Sequence, residues 1–315
     1  MLLFCLLLTR KCSIVVLSES DELGDYLTSE KECHWISFIS NLSSANPSLK
    51  TASWWCLTLF RQKQSNGSSR RATVWRSPLL DKPNLIDRPE YNHLDLRPGL
   101  LREEALFDLV ANSSTVPLVV QLLSPNIHLH STTLIYKRPE NPNAPTFRRG
   151  WHRDIRIPRD LGHQALPLVG IKICYCLTDF HQPNSGMTLM ARGSQLKTTP
   201  LALPKGQVDP MDVEVCDLRL NAGDAFLFEN RIFHTATPNR SDRVSKVLMY
   251  GYSYRWMKTE VYLEMLDRRQ VSGADPITRQ LLGEYRDIDT QPWALQRWAR
   301  RHGVLPETVP WTVET

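Results

Sequence analysis

The 315-residue sequence lacks a long apolar run, a Cys-x-x-Cys pair and a concentrated block of basic residues. The apolar start, Met1 to Leu8, is too short to span a bilayer and has no basic residue before it. The seven cysteines form no Cys-x-x-Cys pair, so we expect free thiols in a reducing compartment instead of a zinc-binding motif. These absences predict a cytoplasmic protein without a membrane span, with an N-terminal targeting segment as the alternative.

The charge is mild and scattered. A net charge of +5 is spread over isolated pairs such as Arg70-Arg71 and Arg300-Arg301. This distribution disfavours nucleic acid as a partner but is compatible with a small anionic substrate or cosubstrate. The composition, 42% hydrophobic and 23% charged, is typical of a globular protein, and it specifies no oligomeric state.

Short strand patterns dominate the middle of the chain. Strands are predicted at 128–137, 169–177, 187–190, 213–220, 225–229 and 247–254, with turn residues between them. Helical spacing precedes them in Leu100 to Val110 and Val116 to Leu123, and helices begin again at Pro276 and Pro292. Residues 1–75 show no sustained period and are left as an unassigned N-terminal extension. The pattern predicts a mainly β fold with flanking helices, an antiparallel jelly roll or barrel.

Two histidines and an aspartate stand out at the ends of predicted strands. His152 and Asp154 are two positions apart, and residues i and i+2 of an extended strand point to the same face. His234 follows a later strand, with enough strands between to bring two edges of a jelly roll together. Two imidazoles and one carboxylate on one face of a metal, with the opposite positions open, are typical of non-haem Fe(II) oxygenases. We therefore expect His152, Asp154 and His234 to be metal ligands and catalytic residues.

An ordered set of short motifs resembles the phytanoyl-CoA dioxygenase family of Fe(II)- and 2-oxoglutarate-dependent oxygenases. The motifs are Trp151-His152-Arg153-Asp154, Leu177-Thr178-Asp179, Asn184-Ser185-Gly186-Met187, Arg192-Gly193-Ser194-Gln195, Ala222-Gly223-Asp224 and His234-Thr235-Ala236-Thr237-Pro238-Asn239. The resemblance implies a double-stranded β-helix (cupin-like) over 76–258, with helices on one sheet and a helical C-terminal segment, 259–315, packed on it. It also implies Fe(II), 2-oxoglutarate and O₂ as the cofactor and cosubstrates.

The chain departs from the family pattern at one position. The family usually has a basic residue about eleven positions after the second histidine, for the far carboxylate of 2-oxoglutarate, and here that residue is Ser245. The nearby basic residues are Arg243 and Lys246, with Lys137 on an earlier strand as a third. We favour Arg243 assisted by Ser245, because strand alternation places both on one face. Further contacts to the cosubstrate are expected from Thr133, Tyr136 and Gln121.

The resulting hypothesis is a dioxygenase that oxidises a C–H bond of a small organic substrate of lipid or specialised metabolism, with release of succinate and CO₂. Two alternatives stay open. The same three ligands suit Zn²⁺ in a hydrolase, although no general base stands near the motif. Alternatively, the substitution at Ser245 suits a non-catalytic jelly-roll binding or regulatory protein that has lost cosubstrate binding.

Overall fold

The computed structural model describes most of the chain from residue 93 onward. Described in full are 93–97, 100–141, 143, 150–155, 162–164, 166–259, 266, 269–284 and 294–303, and the backbone alone is described for 14–16, 57–61, 85–88 and 268. The predicted N-terminal extension therefore lies outside the described residues, apart from two short strands. The same holds for most of the C-terminal segment beyond 284.

The described elements are mostly strands. They are β1 Ile14–Val16, β2 Leu57–Arg61, β3 Leu85–Arg88, β4 His93–Leu96, β5 Ile127–Lys137, β6 Gly170–Cys176, β7 Thr188–Ala191, β8 Val215–Asp217, β9 Asp224–Glu229, β10 His234–Ala236 and β11 Ser245–Tyr254. The helices are α1 Glu104–Phe107, α2 Val116–Leu122, α3 Arg268–Gly273, α4 Pro276–Leu281 and α5 Ala294–Arg301, with 3-10 turns at Leu100–Arg102, Asp108–Ala111 and Ser194–Leu196.

The strands form two sheets. The large sheet has the order β1-β2-β9-β6-β11-β5-β4-β3, and the small sheet has the order β10-β7-β8. Every pairing among the described strands is antiparallel except that of β1 with β2. The prediction of a mainly β protein built from antiparallel sheets is confirmed at this level.

The large sheet buries different side chains on its two faces. One face, here called the outer face, shares a buried cluster with residues of the helical segments, including Leu248 on β11 and Val119 on α2. The opposite, inner face shares a second cluster with the small sheet, including Phe228 on β9 and Met190 on β7. Cys174 and Cys176 belong to the inner cluster, and burial raises the pKa of both thiols, as expected for core cysteines.

Strand alternation along β11 and β5 decides which residues face the inner side. The register between the two strands shifts between Gly251 and Tyr252, so that His130 on β5 has no opposite residue on β11. Beyond this irregularity, alternate residues of the paired strands share the inner face with Val247. They are Ser131, Thr133, Ile135 and Lys137 on β5, and Ser245, Val247, Met249 and Gly251 on β11.

Tyrosines on the outer face of β11 bind the helical segment that precedes β5. The hydroxyl of Tyr250 donates to the carbonyl oxygen of Leu106 at 2.7 Å, and that of Tyr252 donates to Val110 at 2.9 Å. These carbonyls would otherwise accept bonds within a continuous helix. The prediction of one helix over 100–110 is wrong, because α1 is flanked by two 3-10 turns, and the sheet supplies donors to the carbonyls of Leu106 in α1 and Val110 in the second turn.

Two strand boundaries also differ from the prediction. β11 begins at Ser245, two residues before the predicted start, which brings Ser245 into register with Lys137. The strand predicted over 213–220 is limited to β8, Val215–Asp217, and Leu220 beyond it forms only an isolated bridge with Phe180. The shift at β11 matters because it changes which residues alternation places on the inner face.

One segment, Glu104–Leu122, is long and apolar enough by length and composition to cross a membrane, and 44% of it is buried inside the protein. Its Leu106, Val110 and Val119 belong to the outer-face cluster. A core helical segment of a globular fold passes the same test, so this finding alone does not indicate a membrane span.

Replacing Tyr250 by Phe removes one buried hydrogen bond and leaves the Leu106 carbonyl without that donor. We expect the free energy of unfolding to fall by about 1–2 kcal/mol, measured by urea denaturation. Tyr254→Phe is the matched control, because its bond to Leu123 is longer, at 3.4 Å, and the side chain is only partly buried. Equal losses in the two variants would contradict the structural role assigned to the Tyr250 hydroxyl.

Candidate metal site

Two backbone hydrogen bonds bring the two candidate histidines together. The amide of His152 donates to the carbonyl oxygen of His234 at 3.0 Å, and the amide of His234 donates to that of His152 at 2.9 Å. Such a reciprocal pair is a directly opposed pair of an antiparallel ladder, so both side chains leave the same face. The centroids of the two imidazole rings are accordingly 4.3 Å apart.

A backbone carbonyl orients each imidazole. Nδ1 of His152 is 2.8 Å from the carbonyl oxygen of Gly150, and Nδ1 of His234 is 3.1 Å from that of Ile232. Because a carbonyl oxygen only accepts, each Nδ1 must carry the proton, and the lone pair is then on Nε2. A hydrogen bond from Nδ1 to a backbone carbonyl is usual for histidines that bind a metal through Nε2.

The carboxylate of Asp154 lies between the two free nitrogens. Its Oδ1 is 3.7 Å from Nε2 of His152 and 3.6 Å from Nε2 of His234. One donor atom from each of the three residues lies within 4.8 Å of the others. Neighbouring ligands of an octahedral ion with bonds of about 2.1 Å are about 3.0 Å apart, so a small contraction would bring all three onto one ion.

Arg153 anchors the segment that carries two of these donors. Alternation turns its side chain away from the site, and its Nη2 donates to the carbonyl oxygens of Ser194 at 2.6 Å and Lys197 at 3.1 Å. Its guanidinium also lies 4.2 Å from the centroid of the Phe233 ring, next to His234. Arg153 therefore fixes the segment that contains His152 relative to Phe233, the residue before His234.

The electrostatics of the site favour the protonation states that a metal requires. Burial alone would raise the pKa of Asp154, but His234, Lys172 and His152 together lower it to about 2, so the carboxylate is ionised at neutral pH. Burial lowers the pKa of His234 to about 4, although Asp154 opposes this shift. His234 is therefore neutral near pH 7. An ionised carboxylate and oriented imidazoles fit Fe(II), and the donor set contains no thiolate.

The structure places Arg243 outside the inner face. The residue lies in the turn before β11, its side chain is 52% exposed, and its Nη1 is 3.5 Å from Oδ2 of Asp179. Because Arg243 precedes the strand, the alternation used to place it with Ser245 does not extend to it. The structure therefore does not bring Arg243 together with the three candidate ligands.

Three other predicted cosubstrate residues also lie away from the inner face. Lys246 alternates with Ser245, and its Nζ is 5.4 Å from the ring centroid of Tyr136. Tyr136 itself belongs to the outer-face cluster, where burial raises the pKa of its hydroxyl. Gln121 is on α2, in the helical segment next to that cluster, and its Nε2 contacts the carbonyl oxygen of Pro117 at 3.5 Å.

Thr133, Ser245 and Lys137 are on the inner face. Ser245 is directly opposite Lys137, and both side chains are buried. The fully buried Asn239 fixes this end of the sheet, because its Nδ2 donates to the carbonyl oxygens of Lys137 at 2.8 Å and Arg243 at 2.7 Å. Of the predicted cosubstrate residues, the structure thus brings these three to the side of the sheet that faces the small sheet.

Two residues that contact the site were not predicted. Nζ of Lys172 is 2.8 Å from Oδ2 of Asp154, and the ring of Phe228 lies 4.6 Å from that of His234 between centroids. The sequence did contain a signal for Lys172, since it is the only charged residue in the apolar run Val169 to Leu177. Phe228 gave no comparable signal, because an aromatic residue in a buried strand is ordinary core.

Comparison with known proteins gives one family. The family model for phytanoyl-CoA dioxygenase (PhyH) matches residues 76–247, more than half of the chain. No curated protein matches the chain.

Solved structures that align with it include the non-haem α-ketoglutarate-dependent epimerase SnoN from nogalamycin biosynthesis, with 16% identity, coverage of 67% of this chain and 84% of the other, and a TM-score of 0.45. Another is HygX from Streptomyces hygroscopicus with nickel and 2-oxoglutarate bound, with 13% identity, coverage of 64% and 84%, and a TM-score of 0.48.

Replacing Asp154 or His234 by Ala should weaken Mn²⁺ or Fe²⁺ binding by more than roughly 10–100-fold. That is the loss typical when a residue that only hydrogen-bonds to a metal ligand is replaced. The reason is that each change removes one of three converging donors. Equilibrium dialysis under anaerobic conditions measures the affinity. His181→Ala is the control, because that exposed histidine pairs with Asn221 away from the site. Unchanged binding in either site variant would contradict the ligand assignment.

Proposed function

Because the chain belongs to the phytanoyl-CoA dioxygenase family of Fe(II)- and 2-oxoglutarate-dependent oxygenases, we propose that His152, Asp154 and His234 hold its iron. The enzyme would then oxidise a C–H bond of a small organic substrate while 2-oxoglutarate is converted to succinate and CO₂. The observation that supports this most strongly is the convergence of two oriented Nε2 atoms on Oδ1 of Asp154.

The sheets are consistent with the double-stranded β-helix of this family. We infer that β5, β11, β6 and β9 form its major sheet, with the small sheet β10-β7-β8 facing them across the inner cluster. His152 pairs with His234 of β10 through an isolated bridge, so the segment around His152 lies next to β10 at the edge of the small sheet. Metal ligands from this edge would point into the space between the sheets, where His234 is buried and the side chain of His152 is 56% exposed.

The roles of the protein groups follow from the site geometry. Bound Fe(II), together with 2-oxoglutarate and O₂, supplies the oxidising chemistry. The two imidazoles and Asp154 would hold the metal from one side, so that cosubstrate and O₂ could bind from the other. The ionised Asp154 offsets part of the metal charge, and the carbonyls of Gly150 and Ile232 keep both imidazoles in the required tautomer.

Lys137, and not Arg243, is the residue we propose for the far carboxylate of 2-oxoglutarate. Opposed residues of an antiparallel pair have Cβ atoms about 4.5–5.5 Å apart, so Lys137 can serve the region that an arginine at 245 would serve. A larger residue at 245 would collide with the loop that contains Gly186, since a Cβ at Gly186 would already overlap Oγ of Ser245. Ser245 would add a hydroxyl donor beside the Lys137 ammonium.

The substrate is proposed to enter beside the metal along the inner face. His128, whose Nε2 is 3.2 Å from Oγ of Ser253, and Ser131 supply polar groups there. Burial lowers the pKa of His128 to about 4, so this imidazole is neutral at pH 7. Uncharged hydrogen-bonding groups of this kind suit a small organic molecule with hydroxyl or carbonyl groups, as expected for a substrate of lipid or specialised metabolism.

Succinate formation tests the proposed reaction. The full chain, loaded anaerobically with Fe(II) and exposed to O₂ and 2-oxoglutarate, should produce succinate even without the substrate, by slow uncoupled turnover, and faster with an accepted substrate from a metabolite library. His234→Ala should abolish this and His181→Ala should preserve it. Intact metal and 2-oxoglutarate binding without any succinate would contradict catalysis and favour the binding-protein alternative.

Lys137→Met should lower the affinity of the Mn(II)-loaded protein for 2-oxoglutarate by about 10–100-fold, because one charge-assisted hydrogen bond is lost. Isothermal titration calorimetry measures the affinity without any turnover. Arg243→Met removes the competing cation and should change the affinity by less than about 3-fold, since this side chain is half exposed and lies near Asp179. The reverse ranking would show that Arg243 binds the cosubstrate.

A further inference from the structure

Lys172 is a charged residue in an otherwise apolar strand. It lies on β6 between Ile171 and Ile173, and its neighbours across the sheet are Gly251 on β11 and Phe228 on β9. Both isoleucines are buried in the outer-face cluster, so alternation sends the lysine to the inner face. A lysine there requires an anionic partner, because an unpaired ammonium is costly to bury.

The aliphatic stem of this lysine lies beside Gly251. Gly251, directly opposite, has no side chain, and a Cβ at that position would be 3.7 Å from Cγ of Lys172 and would collide with Oγ of Ser131. The glycine is therefore required by Ser131, whereas a Cβ there would only be in ordinary van der Waals contact with the lysine stem. The side chain is 29% exposed at the rim of the inner face.

The Lys172 ammonium contacts one of the two carboxylate oxygens of Asp154 and leaves the other facing the imidazoles. Nζ of Lys172 is 2.8 Å from Oδ2, a distance typical of a charge-assisted hydrogen bond. The other oxygen, Oδ1, is the one that lies 3.6–3.7 Å from the two Nε2 atoms. One carboxylate oxygen therefore faces the imidazoles while its partner is held by the lysine.

We propose that Lys172 is a positioning residue that restricts Asp154 to a single bond with the metal. A free carboxylate can bind a metal through both oxygens, which would consume a coordination position. With Oδ2 held by Lys172, that position remains open for 2-oxoglutarate or O₂. This inference rests on the proposed ligand set, and it assigns to this lysine a role separate from that of Lys137.

The test replaces Lys172 with Met, which has an unbranched side chain but no charge. In Co(II)-loaded protein, whose absorption bands report coordination number, Lys172→Met should change the spectrum of the resting site. The affinity for 2-oxoglutarate, titrated by the same bands, should fall by about 10-fold or more, the size typical for loss of a residue that orients a metal ligand. Co(II) affinity should stay within about 3-fold or increase, because removing a cation beside the metal offsets the lost orientation of Asp154. A purely structural role would not separate the two affinities in this way.

Two further variants make the result decisive. Lys172→Arg still donates to Oδ2 and should restore most of the 2-oxoglutarate affinity, and it serves as the test if the Met variant does not fold. Arg279→Met is the matched control, because it breaks another ion pair of similar exposure, with Glu284 at 3.2 Å, in and after α4. It should change neither affinity.

The outcomes distinguish this inference from the proposed function. If wild-type protein binds metal and 2-oxoglutarate, and folded Lys172→Met matches it in spectrum and in both affinities, the role of Lys172 is overturned while the ligand assignment stands. An equal loss of 2-oxoglutarate affinity in folded Lys172→Arg and Lys172→Met would also overturn the hydrogen-bonding role. If wild-type protein binds no metal, the proposed function itself fails.

Discussion

The site depends on one reciprocal pair of backbone hydrogen bonds, between His152 and His234. These residues are far apart in the sequence, and the pair brings their side chains to one face. Once it forms, alternation along the first segment turns Asp154 to the same face and Arg153 to the opposite one. The convergence of three donors is therefore a consequence of strand pairing, and the contacts of Arg153 and the carbonyls of Gly150 and Ile232 refine it.

The two faces of the large sheet have different roles, one in packing and one at the candidate site. Its outer face is apolar and is tied to the helical segment by the hydroxyls of Tyr250 and Tyr252. Its inner face carries the few polar residues that the account uses, Lys172, Ser131 and Lys137 among them, beside the cluster shared with the small sheet. Because alternate residues of the same strand serve the two faces, a shift of one residue in register would exchange these roles. The irregularity at Gly251 is where that register is adjusted.

The candidate metal triad could be predicted from the sequence because two of its members are two positions apart in one short motif and the third lies in another. The faces of the candidate cosubstrate residues are harder to predict, because they depend on where β11 begins. Alternation does not extend across the turn to Arg243, and Ser245 is opposite Lys137 because β11 begins at Ser245. Likewise, the helix predicted over 100–110 is interrupted because its carbonyls accept bonds from tyrosines that are distant in sequence. Local patterns do not contain such long-range partners.

Several motifs that resembled the family have structural explanations in this chain. Oγ1 of Thr178 accepts from the amide of Lys246, and Oδ1 of Asp179 accepts from that of Ala222. Oγ of Ser194 accepts from the amide of Phe233, next to His234. These side chains bind backbone amides at or next to turns between strands, so short motifs that are separated in the sequence can report on one fold.

The most direct test of the account is a crystal structure of the full chain grown with Mn(II) and 2-oxoglutarate in the absence of O₂. We expect an anomalous peak within about 2.0–2.3 Å of Nε2 of His152, Nε2 of His234 and Oδ1 of Asp154, with Oδ2 still bound to Lys172. A metal bound elsewhere, or the two imidazoles directed away from one another, would contradict it.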